Sequence, residues 1–272
     1  MHYQLMAVDM DGTLLNDKKQ IPQDNIDSIN QALKAGKHIV LCSGRSVGEM
    51  ERYFTLFPYM RYVICESGAE IYDIREKTFI FQKRIEPDYV KEVCETVKDQ
   101  EVMPLFMINS RIYLSERDMD RLDYYRIENF EEHFRVCGHY TKDALSYCRE
   151  TGYNASKICL FHRNTQERKE TKDKLAGLPL ELVYSEITSL EISPNGIDKG
   201  LGLSKLCRHL QIPIEESIAI GDHYNDMAML RKAGLAVAMG NAIDEVKEMC
   251  HVTVADCNHS GVAEAVDRFL LR

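Results

Sequence analysis

Leu5-Met6-Ala7-Val8-Asp9-Met10-Asp11-Gly12-Thr13-Leu14-Leu15 is the stretch from which the fold is read. Four apolar residues suit a strand covered on both faces, and Gly12 lets the backbone turn sharply where that strand ends. Ligands of an open α/β sheet bind at the carboxyl ends of its strands, so Asp9 and Asp11 sit where chemistry is expected. Two such acids can divide labour, one as nucleophile and one as proton donor and acceptor, with a divalent cation tempering their repulsion. A calcium loop is excluded, because its sixth and twelfth positions call for Gly and Glu, and here they are Leu14 and Gln20.

Working outward, apolar segments near residues 3–8, 38–42 and 62–65 are separated by stretches long enough for helices, the first carrying Ile26, Ile29 and Leu33 at helical spacing. The rhythm resumes with strands near 217–221 and 234–238, joined by a helical run from Asp226 to Lys232. This pattern predicts a doubly wound, Rossmann-like parallel sheet with helices on both faces. Between the two halves lies α+β material. A helix is expected from Pro87 through Val97, then a hairpin of Val102–Ile108 and Arg111–Leu114 turning at Asn109-Ser110. A strand at Lys157–Phe161, a helix at Thr165–Leu175 and strands near Glu181–Tyr184 and Leu190–Ile192 follow. The expected division is a core of residues 1–83 and 189–272 with an inserted domain at 84–188.

Three further segments carry candidate site residues. Ile39-Val40-Leu41-Cys42-Ser43-Gly44-Arg45 closes an apolar run on a hydroxyl, whose O–H and neighbouring N–H groups can donate to phosphate oxygens. Glu191 through Gly200 carries Lys199, a cation able to neutralise charge between carboxylates and a phosphoryl group. Ser217-Ile218-Ala219-Ile220-Gly221-Asp222-His223-Tyr224-Asn225-Asp226 ends a strand in acids, whose oxygens suit a hard cation. His223 reads as a bystander. His133, His139, Tyr124, Tyr125, Phe130 and Phe134 read as packing residues.

Taken in order, these four segments resemble the motifs of the haloacid dehalogenase-like superfamily, and Val237–Ala242 with Asn258–Val262 resemble closing segments of its Cof-like, type IIB subgroup. The resemblance implies a magnesium-dependent phosphatase of small phosphorylated metabolites, with the insertion as a C2B-type cap. It assigns Asp9 as nucleophile and Asp11 as acid and base. Ser43, Gly44, Lys199 and Asn225 would bind phosphate, and Arg45 would bind substrate. Magnesium would be held by Asp9, the Asp11 main-chain carbonyl and Asp222, with Asp226 in a supporting or direct role. Ser67 departs from the subgroup's usual Asn. A phosphomutase, returning the phosphoryl group to a sugar hydroxyl, and a noncatalytic metabolite sensor are the alternatives.

Composition agrees with an acidic enzyme. The chain has 272 residues, 44% of them hydrophobic, and a net charge of -9 from 34 Lys and Arg against 43 Asp and Glu. That balance disfavours nucleic acid and anionic membrane as partners, so anionic substrates need local cations such as Arg45 and Lys199. Nine cysteines without a Cys-x-x-Cys pair predict free thiols in a reducing compartment. Without a basic leader or an apolar run of about 18 residues, the expected place is the cytoplasm, as monomer or homodimer.

Overall fold

The structure, a computed structural model, describes residues 2–272. It divides into two compact units. The first takes in the chain up to Arg45, then Met50–Gln82 and Asp198–Arg272; the second takes in Ser46–Glu49 and Lys83–Ile197. Along the chain the first unit supplies β1 (Leu5–Val8), β2 (His38–Cys42), β3 (Tyr62–Cys65), β4 (Glu70–Asp73) and β5 (Thr78–Gln82). The second supplies β6 (Val102–Ile108), β7 (Arg111–Ser115), β8 (Gly138–Thr141), β9 (Lys157–His162), β10 (Leu180–Tyr184) and β11 (Ser189–Pro194). The chain then returns to the first unit for β12 (Ser217–Gly221), β13 (Leu235–Ala238) and β14 (Val252–Thr253).

The first unit is an α/β fold around a sheet ordered β14-β13-β12-β1-β2-β3-β4-β5. Every residue of β1, β3 and β12 is buried, as required of strands covered on both faces. From β1 the chain steps to β2 and β3 on one side, and later to β12, β13 and β14 on the other. This makes the carboxyl ends of β1 and β12 the topological switch point, the place where open α/β sheets bind their ligands.

One expectation is corrected at the far edge. The sheet is parallel from β14 to β3, but β4 and β5 are antiparallel additions. The link from β3 to β4 is too short for a crossover helix, so only a reversal is possible. β4 hides in the sequence because its two acids are buried and paired: Glu70 accepts from Gln82 of β5 at 2.9 Å and Asp73 from Arg61 at 2.9 Å. The helix expected after β1 forms at Gln23–Lys34, but its buried stripe runs through Asn25, Ile29 and Ala32. The Asn25 side chain earns its place there by accepting from the Ala263 N–H at 2.9 Å.

In the second unit the sheet order is β10-β11-β9-β6-β7-β8. The hairpin β6–β7 turns at Asn109 and Ser110, with φ of 51° and 62°, the left-handed pair that matches strand twist in a two-residue turn. Strand alternation separates two cores. Phe106, Ile158, Leu160, Leu190 and Ile192 pack with Val90, Val93 and Val97 of the helix Pro87–Val97. Leu105, Met107, Cys159 and Phe161 pack with Tyr125, Ile127 and Phe134, so these aromatics are packing residues. Because β11 is hydrogen-bonded between β10 and β9, residues 189–197 belong to this unit. The second boundary therefore falls at 197/198 rather than 188/189.

All nine cysteines are free, and among the described residues no helix is long and apolar enough to cross a membrane. The helix Thr165–Leu175 starts at Asn164, whose side chain accepts from the Glu167 N–H at 2.9 Å. Asn164→Ala should cost about 1 kcal/mol by leaving that donor without its cap. An unchanged urea midpoint would show that the cap does not stabilise this helix.

Candidate active site

Asp9 is the first residue beyond β1, and its N–H donates to the Ile220 carbonyl at 3.1 Å, which registers it against β12. Gly12 then turns the chain at φ +81°, and a Cβ there would lie 2.4 Å from Asp222 Oδ2. The glycine thus serves conformation and close approach together. A second bare backbone is needed at Gly221, where a Cβ would fall 2.5 Å from Asp226 Cγ.

Lys199 opens the helix Lys199–Leu210, whose N-cap Asp198 accepts from the Leu201 N–H at 2.6 Å. A cation at a helix N-terminus opposes the macrodipole, and this one is 1% exposed. Two carboxylates compensate: Lys199 Nζ donates to Asp9 Oδ1 at 2.5 Å and to Asp226 Oδ1 at 2.7 Å. Burial favours loss of the ammonium proton, but the charges of Asp226 and Asp9 outweigh it and hold the lysine above its ordinary range.

Asp226 is fully buried. Its other oxygen accepts from the N–H groups of Asp222 at 3.0 Å and His223 at 3.1 Å, so it braces the loop after β12. Asp222 accepts from Thr13 Oγ1 at 2.9 Å. Asp9, Asp222 and Asp226 each bring one carboxylate oxygen within 4.8 Å of the others. One ammonium does not balance three carboxylates. Burial first, then the charge of Asp226, pushes the Asp222 carboxyl up to about 6, and the same causes raise Asp9 well above its ordinary value.

The other expected residues are placed differently. The Asp11 carboxylate is apart from this group, held by Arg45 Nε at 3.0 Å and Nη2 at 2.8 Å and by Lys19 Nζ at 3.0 Å. Burial works against its charge, but Arg45 and then Lys19 prevail and hold it at about 2. Ser43 is buried just past β2, its Oγ accepting from the Arg45 N–H at 3.3 Å, with Gly44 half-buried beside it. Asn225 and His223 are exposed. Ser67 adopts φ 58°, a region Asn tolerates better than Ser, and it reaches the site through its backbone: its N–H donates to the Ser43 carbonyl at 2.9 Å.

Three contributors escaped the sequence reading of roles. Thr13 lies inside the first motif, and its hydroxyl position was the signal. Asn241, in the segment Val237–Ala242, donates to the Gly12 carbonyl at 2.7 Å and accepts from the Cys257 N–H at 3.0 Å, tying two loops together. Lys19 is an exposed lysine that nothing in its neighbourhood distinguishes.

A family model for haloacid dehalogenase-like hydrolases matches residues 6–266. The chain belongs to that family. Its hydrolase class, phosphatase type and Cof-like character follow with the membership. Phosphatase YwpJ of Bacillus subtilis (strain 168) is 28% identical over 285 residues, covering 98% of this chain and 99% of the relative. A 5-amino-6-(5-phospho-D-ribitylamino)uracil phosphatase, YcsE, of the same organism is 27% identical, covering 98% and 96%. Among solved structures, a haloacid dehalogenase-like hydrolase from Bacteroides thetaiotaomicron superposes with a TM-score of 0.86 at 28% identity, covering 98% and 99%.

Lys199→Met should leave the acids of this family member without their counter-charge, costing roughly 3–5 kcal/mol near neutral pH in chelator. The folded state then binds protons more tightly than the unfolded state, so stability rises as pH falls through the raised carboxylate range. Urea titrations at neutral and mildly acidic pH should show the penalty shrinking; an equal penalty at both would refute the electrostatic account.

Proposed function

We propose that the protein is a magnesium-dependent phosphatase of small phosphorylated metabolites that works through an aspartyl-phosphate on Asp9. The observation that carries this reading is the buried Asp9 carboxylate, tethered through one oxygen to Lys199 at the sheet's switch point. Tethering fixes the nucleophile's orientation, and Lys199 offsets the repulsion between a carboxylate and an incoming phosphate dianion.

The donor set fits a hard divalent cation, since it is all oxygen, largely buried and more negative than its single lysine balances. Asp9, Asp222 and the Asp11 main-chain carbonyl would hold it, while Asp226, with both oxygens engaged, acts as the brace. When bound, magnesium would supply neutralisation of charge on the phosphoryl oxygens.

In the first step the free oxygen of Asp9 attacks phosphorus and the bond to the leaving oxygen breaks. Asp11 gives that oxygen its proton. In the second, Asp11 takes a proton from water as it attacks phosphorus, and the bond to Asp9 breaks. The Ser43 hydroxyl donates to the phosphoryl oxygens beside Gly44, and Asn225 helps orient them. Asp11 clamped by Arg45 is an ionised resting form. A substrate anion that draws Arg45 to itself frees Asp11 to take up its proton, which gives Arg45 the role of substrate sensor. The inserted unit acts as a cap that selects the leaving group.

Asp9→Asn should abolish turnover in a folded protein, measured by phosphate release across a panel of phosphate esters with magnesium; normal turnover would sink the assignment. Asp11→Asn should slow alkyl esters far more than activated aryl esters, which need no proton. Equal losses would remove Asp11 as acid. Chelation should silence the enzyme and magnesium restore it, whereas calcium, with a larger and looser shell, should not. Full activity in chelator would contradict the metal's role.

A further inference from the structure

The turn that carries Lys19 is more closely built than a surface lysine requires. Asn16 organises it: its N–H donates to the Gln20 carbonyl at 2.9 Å, its carbonyl accepts from the Lys19 N–H at 2.8 Å, and its side-chain oxygen accepts from the N–H groups of Lys18 and Gln20, each at 3.0 Å. Lys19 itself stands at φ 56°, in the left-handed region that a lysine enters at a cost. The turn is then tied to the loop after β14, which belongs to the same unit. Asn258 Nδ2 donates to Asp17 Oδ2 at 2.9 Å, and the Asp17 N–H donates back to Asn258 Oδ1 at 3.3 Å. Asn258 lies in a closing segment that the catalytic steps leave unused.

What this scaffold presents is an ammonium 3.0 Å from Asp11 Oδ1, the oxygen that also accepts from Arg45 Nη2 at 2.8 Å. Arg45 already holds Asp11 through two donors, so Lys19 is not needed to orient that carboxylate. Nor does stability explain the contact, because the Lys19 side chain is 65% exposed and ion pairs in such settings contribute little. An exposed ammonium beside the acid that serves the leaving oxygen is a charge offered to the substrate. Asp11 has to reach that oxygen to protonate it, which puts Lys19 Nζ within two hydrogen bonds of it, about 6 Å.

We propose that Lys19 is a specificity-determining residue: with Arg45 it recognises an anionic group, a carboxylate or a second phosphate, carried close to the leaving oxygen. The preferred substrates are then phosphate esters or anhydrides whose leaving group is itself an anion, rather than esters of neutral alcohols. In the resting form Asp11 occupies the place of that anion, accepting from both cations. When substrate binds, its anion takes over Lys19 and Arg45, and Asp11 is released toward the leaving oxygen, as the proposed reaction requires of Arg45. This inference rests on the phosphatase reading and deepens it by naming the leaving group.

The test measures kcat/KM of wild type, Lys19→Met and Lys19→Arg with magnesium on phosphoglycolate, pyrophosphate and ethyl phosphate, whose leaving groups are a carboxylate-bearing alcohol, a phosphate and a neutral alcohol. Wild type should prefer one of the anionic substrates to ethyl phosphate, and the one it prefers identifies the occupant as carboxylate or phosphate. Lys19→Met should lower that preference roughly tenfold, the effect of one charge-assisted hydrogen bond, and Lys19→Arg should retain it. A lysine that merely adds positive charge to the neighbourhood would, when removed, slow all three alike. An unchanged preference in Lys19→Met, or no preference in wild type, overturns the proposal. If wild type hydrolyses none of the three, the phosphatase reading is what fails, and calorimetric binding of the same compounds decides. Tighter binding of an anionic compound, lost in Lys19→Met and kept in Lys19→Arg, supports the anion site; binding that Lys19→Met leaves unchanged, or no binding, overturns it.

Discussion

The ammonium of Lys199 between Asp9 and Asp226 is the interaction on which the rest of the site depends. Burying one cation costs several kcal/mol, and burying the two acids costs more; only their mutual contacts and hydrogen bonds make the cluster tenable. The fold meets that condition from three directions. β1 delivers Asp9, the helix after Asp198 delivers Lys199, and the loop after β12 delivers Asp226, which is locked by two main-chain N–H groups. Gly12 and Gly221 are bare because the acids approach their backbones too closely for a side chain. Cys42, at the end of β2, is a bystander of the same environment, its thiol pushed up to about 12 by burial and inert as a nucleophile.

Much of this was legible in the sequence, for a physical reason. A strand buried on both faces must be an unbroken apolar run, and a strand end that carries chemistry must break it with polar residues and glycine. Hence Leu5–Val8, His38–Cys42 and Ser217–Gly221 announced both the sheet and its functional edge. The β6–β7 hairpin was equally readable, because only a few residue pairs tolerate two successive left-handed conformations.

What stayed hidden was set by contacts distant in sequence. Strand β4 carries two buried acids whose partners, Arg61 and Gln82 of β5, turn an unfavourable composition into a satisfied one. The boundary near residue 189 was misjudged because β11 reads as an ordinary buried strand, and only its pairing with β9 and β10 says which sheet it serves. Asp11 and Lys19 are eight residues apart, and nothing local shows that Lys19 joins Arg45 on one carboxylate. Pairing of Glu49 with His133 spans 84 residues and belongs to the same class.

The two acids of the first motif thus receive opposite treatment from one short loop. Asp9 is buried among like charges and held by a single lysine, while Asp11 is turned toward two cations and kept ionised. That separation suits a nucleophile that must stay in place and a proton carrier that must move. The claim at the centre is that Asp9 becomes phosphorylated. Quenching the enzyme in acid during turnover with magnesium, reducing any acyl phosphate with borohydride and sequencing peptides by mass spectrometry tests it most directly. The account predicts conversion of Asp9 alone to homoserine; turnover with Asp9 unmodified, or reduction at another carboxylate, would contradict it.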